Sequence, residues 1–128
     1  MSKLGIAVII LATGVVLGAF GAHSLENHIE PNQLKAWNTA VQYQFIHGLG
    51  YLALCILYAQ TDINKKLIVI AQKLMLAGII LFSGSIYFLA TQNIIGANLS
   101  WLGPVTPIGG ILFISSWVVL VFAAGKSK

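Results

Sequence analysis

The sequence has little charge and few of the residues that build metal clusters or disulfides. Only 8% of its 128 residues are charged, 58% are hydrophobic, three are acidic and one is a cysteine. A chain of this length needs far more polar residues to cover a soluble core, so the composition excludes a soluble globular domain. The single cysteine, Cys55, excludes an internal disulfide and a cysteine-based metal cluster, and we interpret it as a small buried residue.

Arginine is absent, and the formal net charge of +4 comes from lysines alone. All seven basic residues lie near the ends of apolar stretches, with no basic stripe and no interleaved aromatic residues. We therefore expect no nucleic-acid partner. The positions of the lysines indicate membrane topology instead.

Four apolar stretches are long enough to cross a bilayer at about 1.5 Å per residue. They cover residues 4–22, 38–59, 67–91 and 107–124. These stretches predict an all-α integral membrane bundle of four transmembrane helices, formed by a single domain over residues 1–128. The first resembles a secretory signal peptide, because a lysine precedes it and the small residues around Ala19 and Gly21 imitate a cleavage site. A stripe of small residues, Gly14, Gly18 and Ala22, favours a retained span that packs against a neighbour.

With four spans, both termini lie on the same side of the membrane as the link between the second and third spans. That side holds most of the lysines: Lys3, Lys65, Lys66, Lys126 and Lys128, with Lys73 close by. The other side holds only Lys35. Because lysine concentrates on the cytoplasmic side, we predict that both termini face the cytoplasm.

Local signals predict where helices begin and which aromatic residues meet the membrane surface. Pro31 should begin the second helix, since its missing N–H falls where no intrahelical partner exists. Asp62 or Asn64 should cap the third helix. Trp37 and Trp101 are expected at the level of the headgroups.

Polar residues concentrate in the half of each span that faces away from the lysine-rich side. In the second span, seven residues follow one helical stripe: Ala40, Tyr43, Gln44, His47, Tyr51, Leu54 and Tyr58. Polar groups in hydrocarbon need partners, so we predict an outward-facing polar pocket around His47 that holds water, a lipid headgroup or a small ligand. Its candidate ligand-binding residues are His23, Gln42, Tyr43, Gln44, His47, Ser83, Ser85, Tyr87 and Thr106.

His47 has two interpretations. An intramembrane histidine can relay protons or ligate a metal or haem. Alternatively, its nitrogens only form hydrogen bonds to Gln44, Ser85 or a backbone carbonyl of another helix. Haem ligation by His23 and His47 requires both rings at one depth, whereas His47 lies about two helical turns deeper. We expect no metal and no cofactor.

No catalytic residue is predicted. The serines of the spans have no buried acidic residue to orient a histidine, because Glu26, Glu30 and Asp62 all fall in polar links. The spans also contain no carboxylate, which argues against a proton-coupled transporter.

Glycines within the spans predict close helix packing. The candidates are Gly14, Gly18, Gly48, Gly78, Gly84, Gly109 and Gly110.

Four motifs resemble one bacterial family, domain of unknown function 423. They are Gly18-Ala-Phe-Gly-Ala-His23, Trp37-x-Thr-Ala-Val-Gln-Tyr-Gln-x-x-His47, Leu81-Phe-Ser-Gly-Ser-Ile-Tyr87 and Gly103-Pro-Val-Thr-Pro-Ile-Gly-Gly110. The resemblance implies a small four-helix protein of the bacterial inner membrane, with no established biochemical activity.

The sequence therefore favours a non-enzymatic accessory or lipid-binding membrane protein, with membrane lipids as partners. Other membrane proteins or a second copy are further possible partners. The alternative is a small-solute transporter or channel subunit that acts as an oligomer. A third hypothesis, an intramembrane enzyme or redox carrier, requires a metal or haem.

Overall fold

The chain folds into four helical rods joined by short connections. The computed structural model describes residues 1–60 and 62–125, except for the side chain of Gln60. Its helices are α1 (Lys3–His23), α2 (Pro31–Gln60), α3 (Lys65–Gly78), α4 (Ser85–Ile95) and α5 (Val105–Gly125). A π-helical segment, Ile79–Gly84, joins α3 to α4, so that these two helices form one rod. Single 3₁₀ turns, Leu25–Asn27 and Ser100–Leu102, lie in two of the connections.

All four rods are long and apolar enough to cross a membrane. This confirms the predicted all-α bundle of four spans. The rods are longer than the predicted spans; α2, with 30 residues, measures about 45 Å at 1.5 Å per residue. A hydrocarbon core is about 30 Å thick, so α2 either tilts or extends beyond it.

The predicted helix starts are confirmed. Pro31 is the first residue of α2. The side chain of Asn64 accepts hydrogen bonds from the backbone N–H groups of Lys66 and Leu67, at 3.1 and 3.3 Å, and thus caps α3. At the other end of this rod, Gly96 adopts a φ of 77°, a left-handed conformation that suits glycine and ends α4.

Buried side chains form three layers along the bundle. The first layer lies at the end marked by Lys3, Tyr58 and Lys65, which we call the lysine end. It combines residues of all four rods: Ala7, Tyr51, Leu54, Ile68, Ala71, Met75 and Ala123. The middle layer contains Ile10, Ile79 and Phe113. The third layer, at the far end, contains Leu25, Trp37 and Ala90.

The first layer also shows how the chain is threaded. The beginning of α1 and the last turn of α5 both contribute to it, through Ala7 and Ala123. Both ends of the described chain therefore lie at the lysine end, beside the link between α2 and α3. Thr61 of this link, and Lys126 and Lys128 of the topology prediction, lie outside the described residues.

Most of the glycines expected at helix contacts lie against a neighbouring rod. A methyl group built on Gly78 would lie 2.5 Å from the Phe113 ring, and one on Gly109 would overlap the backbone nitrogen of Phe82. Corresponding distances are 3.1 Å from Gly14 to Phe45, 3.3 Å from Gly18 to Val41 and 2.8 Å from Gly48 to Ile10. At Gly109 the overlapped atoms are backbone, so a side chain there would push the rods apart, whereas at the other positions the neighbouring side chain would have to shift.

The packing prediction is wrong for Gly84. No atom of another rod lies within 4 Å of a methyl group built there, and Gly84 lines a surface cavity instead of a helix contact. At Gly110 the nearest atoms, in the Phe82 ring, lie at 3.9 and 4.0 Å, which is ordinary contact. Gly21 was not among the glycines predicted at helix contacts, but a methyl group there would lie 2.7 Å from the Trp37 ring.

Trp37 is not an interfacial anchor exposed to headgroups. Its side chain is only 4% exposed, and its Nε1–H donates a hydrogen bond of 2.9 Å to the carbonyl of Leu17 on α1. Gly21 provides the room for the indole on α1. Trp101, by contrast, is 68% exposed, in keeping with the predicted anchoring role.

Candidate functional site

Both nitrogens of His47 are used within the bundle. Nδ1 bonds to the carbonyl of Tyr43 at 2.9 Å, and Nε2 accepts the Nε1–H of Trp117 at 3.2 Å. This pairing places the proton on Nδ1 and leaves the imidazole neutral. The ring is 4% exposed and stacks on Phe113, with centroids 3.5 Å apart and planes 11° apart. A metal or haem iron could bind only if one of these hydrogen bonds broke.

Gln44 is the centre of a second group of hydrogen bonds. Its Nε2 donates to the carbonyl of Ile10 at 2.9 Å and to Thr13 Oγ1 at 3.0 Å, both on α1. Its Oε1 accepts the hydroxyl of Tyr87, on α4, at 2.6 Å. One amide side chain thus joins three rods, and Tyr87 pairs with Gln44 rather than with His47.

The remaining buried polar residues also pair across rods. Ser83 Oγ donates to the carbonyl of Ala40 at 2.8 Å. The hydroxyls of Ser85 and Thr106 lie 2.5 Å apart, and Ser85 Oγ also donates to the carbonyl of Phe82 at 3.0 Å. Among the described residues, no buried side-chain nitrogen or oxygen lacks a partner.

Three predicted pocket residues lie apart from these bonds. His23 ends α1 and is exposed, and Gln42 is exposed on α2. Tyr43 is 38% exposed, and its ring packs against Phe82 with centroids 4.7 Å apart. The polar side chains therefore pair off as links between helices and do not surround one water-filled pocket centred on His47.

One surface cavity gathers four of the predicted residues without His47. It measures about 390 Å³ and lies beside the π-helical segment. Gln44, Ser83, Ser85 and Tyr87 line it, together with Phe88, Gly84 and aliphatic residues. Their polar atoms are already bonded to protein, as described above, so this cavity offers a ligand mainly apolar contact.

A larger cavity of about 540 Å³ lies at the far end, between α1 and α4. We call it the far-end cavity. Its lining is Phe20, Ser24, Leu25, His28, Trp37, Tyr87, Phe88, Thr91, Ile94 and Ile95. Only Tyr87 belongs to the predicted pocket. The missed signal is the aromatic content: Phe20, Trp37, Tyr87 and Phe88 all occur in the outer parts of their spans.

The walls of the far-end cavity are held in place by hydrogen bonds. Trp37 is tied to α1 through Leu17, Tyr87 is tied to α2 through Gln44, and the two rings pack with centroids 4.6 Å apart. His28 stands at its edge, with Nδ1 at 2.7 Å from the carbonyl of Ser24. The other ring nitrogen of His28 has no partner in the described chain.

The described residues contain no group of three or more His, Cys, Asp and Glu side chains that could hold a metal ion. The lining of the far-end cavity adds only hydroxyls and one imidazole to its apolar walls. Its chemistry is therefore that of a binding site for an apolar or amphipathic molecule.

Comparison with known families decides the identity. The chain matches the family described as protein of unknown function (DUF423) over residues 17–110. The chain belongs to this family. The matched range includes the four motifs on which the resemblance rests.

Relatives of similar length carry membrane-protein names. The UPF0382 membrane protein YwdK of Bacillus subtilis is 45% identical over 123 residues, which cover 96% of this chain and 94% of the relative. A UPF0382 membrane protein of Staphylococcus epidermidis is 42% identical, with 96% and 93% covered. Together with the four apolar rods, these relatives show a multi-pass membrane protein. No solved structure matches the chain at a significant level.

Proposed function

We propose that this DUF423 protein is a non-enzymatic lipid-binding protein of the bacterial cytoplasmic membrane. In this proposal the far-end cavity holds the acyl part of an amphiphile. The observation that carries the proposal is the cavity itself, with about 540 Å³ of space and walls that include Phe20, Trp37 and Phe88. A concave, mainly apolar space of roughly 300–1,000 Å³ with a few polar groups is typical of sites for small molecules.

The polar groups lie where a headgroup would be. Ser24 and His28 belong to the connection after α1, outside the apolar part of the bundle. The unpaired ring nitrogen of His28 and the hydroxyl of Ser24 can bond to an ester, phosphate or glycerol oxygen. The chain of the same molecule would then run along Phe88 and Ile95.

The lysines supply the orientation. Among the described residues, Lys3, Lys65 and Lys66 lie at the lysine end, whereas Lys35 lies near the far end. Lysine-rich ends face the cytoplasm, so the far-end cavity would open toward the outer leaflet. An outer-leaflet lipid is therefore the ligand we expect.

The buried hydrogen bonds support a binding role with fixed walls. Rigid walls lower the entropic cost of binding, because the protein does not have to order itself around the ligand. His47 and Gln44 would then contribute indirectly, as links that hold the rods around the cavity.

The test is native mass spectrometry of the protein released from lipid nanodiscs. Ile95→Trp should fill the cavity, and we expect it to reduce the number of retained lipids. Ile111→Trp is the matched control, since Ile111 is 62% exposed on α5 and does not line the cavity, while Ile95 is 52% exposed. Equal lipid retention in both variants would refute the proposal.

Two further outcomes would support a different function. Solute flux in proteoliposomes that disappears in His47→Ala would favour the transporter hypothesis. A second copy or another membrane protein that stays bound in place of lipid would favour an accessory role in assembly.

A further inference from the structure

A separate cavity lies at the lysine end, and thus at the opposite end of the bundle from the far-end cavity. It measures about 360 Å³ and lies between the first turn of α1, the last turns of α2 and the middle of α3. Its polar lining is Lys3, Cys55, Tyr58 and Gln72. Neither the predicted pocket nor the proposed function includes it.

Lys3 is built into this cavity. Its Nζ donates a hydrogen bond of 2.7 Å to Oε1 of Gln72, whose side chain is only 2% exposed. The amide nitrogen of Gln72 points in turn to Cys55 Sγ at 3.7 Å, which fixes the amide. An ammonium group has three N–H donors, so Lys3 retains donors for a ligand.

A second lysine, Lys65, does not line the cavity but contacts Tyr58, which does. Nζ of Lys3 and Nζ of Lys65 lie 4.9 and 5.2 Å from the centroid of the Tyr58 ring. The ring attracts both cations but neutralises neither. Lys3 and Lys65 form no ion pair within the described part of the chain.

Helix geometry adds to the positive charge. Lys3 opens α1 and Lys65 opens α3, and neither first turn contains an acidic residue. Helix N-termini carry partial positive charge and favour anions, so lysines there are unfavourable without a negative partner. Lys3 and the first turn of α1 thus line the cavity, Lys65 and the first turn of α3 contribute further positive charge through the contact with Tyr58, and the lining contains no carboxylate.

We propose that this cavity binds one anionic phospholipid, with its phosphate on Lys3 and Lys65. The apolar lining selects a lipid over a soluble phosphate. Leu4 and Ile56 line the cavity and are also 54% and 49% exposed on the outside of the bundle, where acyl chains can lie against them. Basic pockets between helices on the cytoplasmic side are a known way for membrane proteins to select anionic headgroups.

The test compares phosphatidylglycerol with phosphatidylcholine, both carrying the same oleoyl chains. Each lipid is added to the protein in detergent, and the lipid that stays bound is measured by native mass spectrometry. Each lysine near an anionic headgroup contributes about 1 kcal/mol, or roughly fivefold in affinity. Lys3→Gln and Lys65→Gln should each reduce the preference for phosphatidylglycerol roughly fivefold. Lys73→Gln is the matched control. It removes the same charge from an exposed position of α3, but Lys73 neither lines the cavity nor contacts its Tyr58 ring.

Two variants guard against misfolding. Lys3→Arg keeps the charge and should keep the preference, and Lys65→Gln alters an exposed side chain that donates no hydrogen bond to a buried group. If Lys73→Gln loses as much preference as Lys3→Gln and Lys65→Gln, only the general surface charge acts and the proposal is wrong. If inorganic phosphate raises the melting temperature as much as phosphatidylglycerol does, the lipid assignment is wrong.

The far-end proposal can fail independently. Ile95→Trp should leave the phosphatidylglycerol preference unchanged, and Lys3→Gln should leave lipid retention at the far end unchanged.

Discussion

The contact between Gly109 and the π-helical segment gives the sharpest test of the fold. A methyl group on Gly109 would overlap the backbone nitrogen of Phe82 and lie 2.8 Å from its Cα and Cβ. Carbon atoms normally approach to about 3.5–4.0 Å, so α5 has to move away by about 1 Å. The nearest atoms belong to the backbone, so no side-chain rotation can relieve the overlap.

We expect Gly109→Ala to destabilise the protein by about 2 kcal/mol. Overpacking typically costs about 1–3 kcal/mol, and the better helix propensity of alanine returns up to about 1 kcal/mol. The overlap with backbone places the cost in the upper part of that range. The bond between Ser85 and Thr106 should weaken together with this contact, because it joins the same two rods.

Gly110→Ala is the control, with the same chemical change one residue later on the same helix. Its methyl group meets the Phe82 ring only at 3.9 Å. We expect a change within about 0.5 kcal/mol, because ordinary contact distances require no displacement. Unfolding by dodecyl sulfate in mixed micelles, followed by loss of helical circular dichroism, measures both variants. Equal midpoints for Gly109→Ala and wild type would show that the packing described here is wrong.

Three other substitutions test single hydrogen bonds in the same assay. Tyr87→Phe removes the partner of Gln44 Oε1 and should cost about 1–2 kcal/mol of unfolding free energy. The double variant with Gln44→Met should lose less than the sum of the two single variants, and strict additivity would contradict the pairing. Ser116→Ala removes a 2.8 Å bond from α5 to a backbone carbonyl of α3 and should cost about 0.6 kcal/mol. Ser115→Ala removes a bond within α5 only and should cost less; a larger cost for Ser115→Ala would count against the bond between rods. Asn64→Ala should cost about 1 kcal/mol through loss of the α3 cap. Amide hydrogen exchange should become faster only in the first turn of α3, and unchanged exchange there would argue against the cap.

The buried face of α2 illustrates what local sequence pattern can predict. Of the seven residues on the predicted stripe, five are buried; Tyr43 lies at one edge of the stripe and Tyr58 at its last turn, with 38% exposure each. Helical periodicity depends only on neighbours in sequence, so it can be read without the rest of the fold. The positions of Pro31 and Asn64 are local signals of the same kind.

The partners of the polar side chains depend on how the rods are aligned, and this was not predictable. His47 pairs with Trp117, 70 positions away in sequence, instead of with Gln44 or Ser85. Trp37 shows the same limit: its residue type predicts a place at the headgroups, but Gly21 on another helix opens a buried site for it. Sequence spacing indicates which polar groups need partners. Which residue becomes the partner depends on how far one rod is shifted along its neighbour.

The π-helical segment escaped prediction for a different reason. Its sequence, Ile79-Ile-Leu-Phe-Ser-Gly84, is compatible with an ordinary α-helix, and no residue type within it signals a wider turn. The approach of Gly109 to the Phe82 backbone becomes visible only when α5 is in place.

This wider turn decides where the chain can lose a residue. A π bulge places one additional residue in a turn, and one residue corresponds to about 100° of rotation in a regular α-helix. Deleting a residue of the π-helical segment such as Ile80, which is 60% exposed, would let this turn close as an ordinary α-helical turn and leave α4 near its present rotation. A deletion in the first turn of α4 has no additional residue to absorb it. It would rotate Ala90 away from the interior by about 100° while Ile68 and Met75 stayed in it, so it should be far more harmful than the same deletion within the segment.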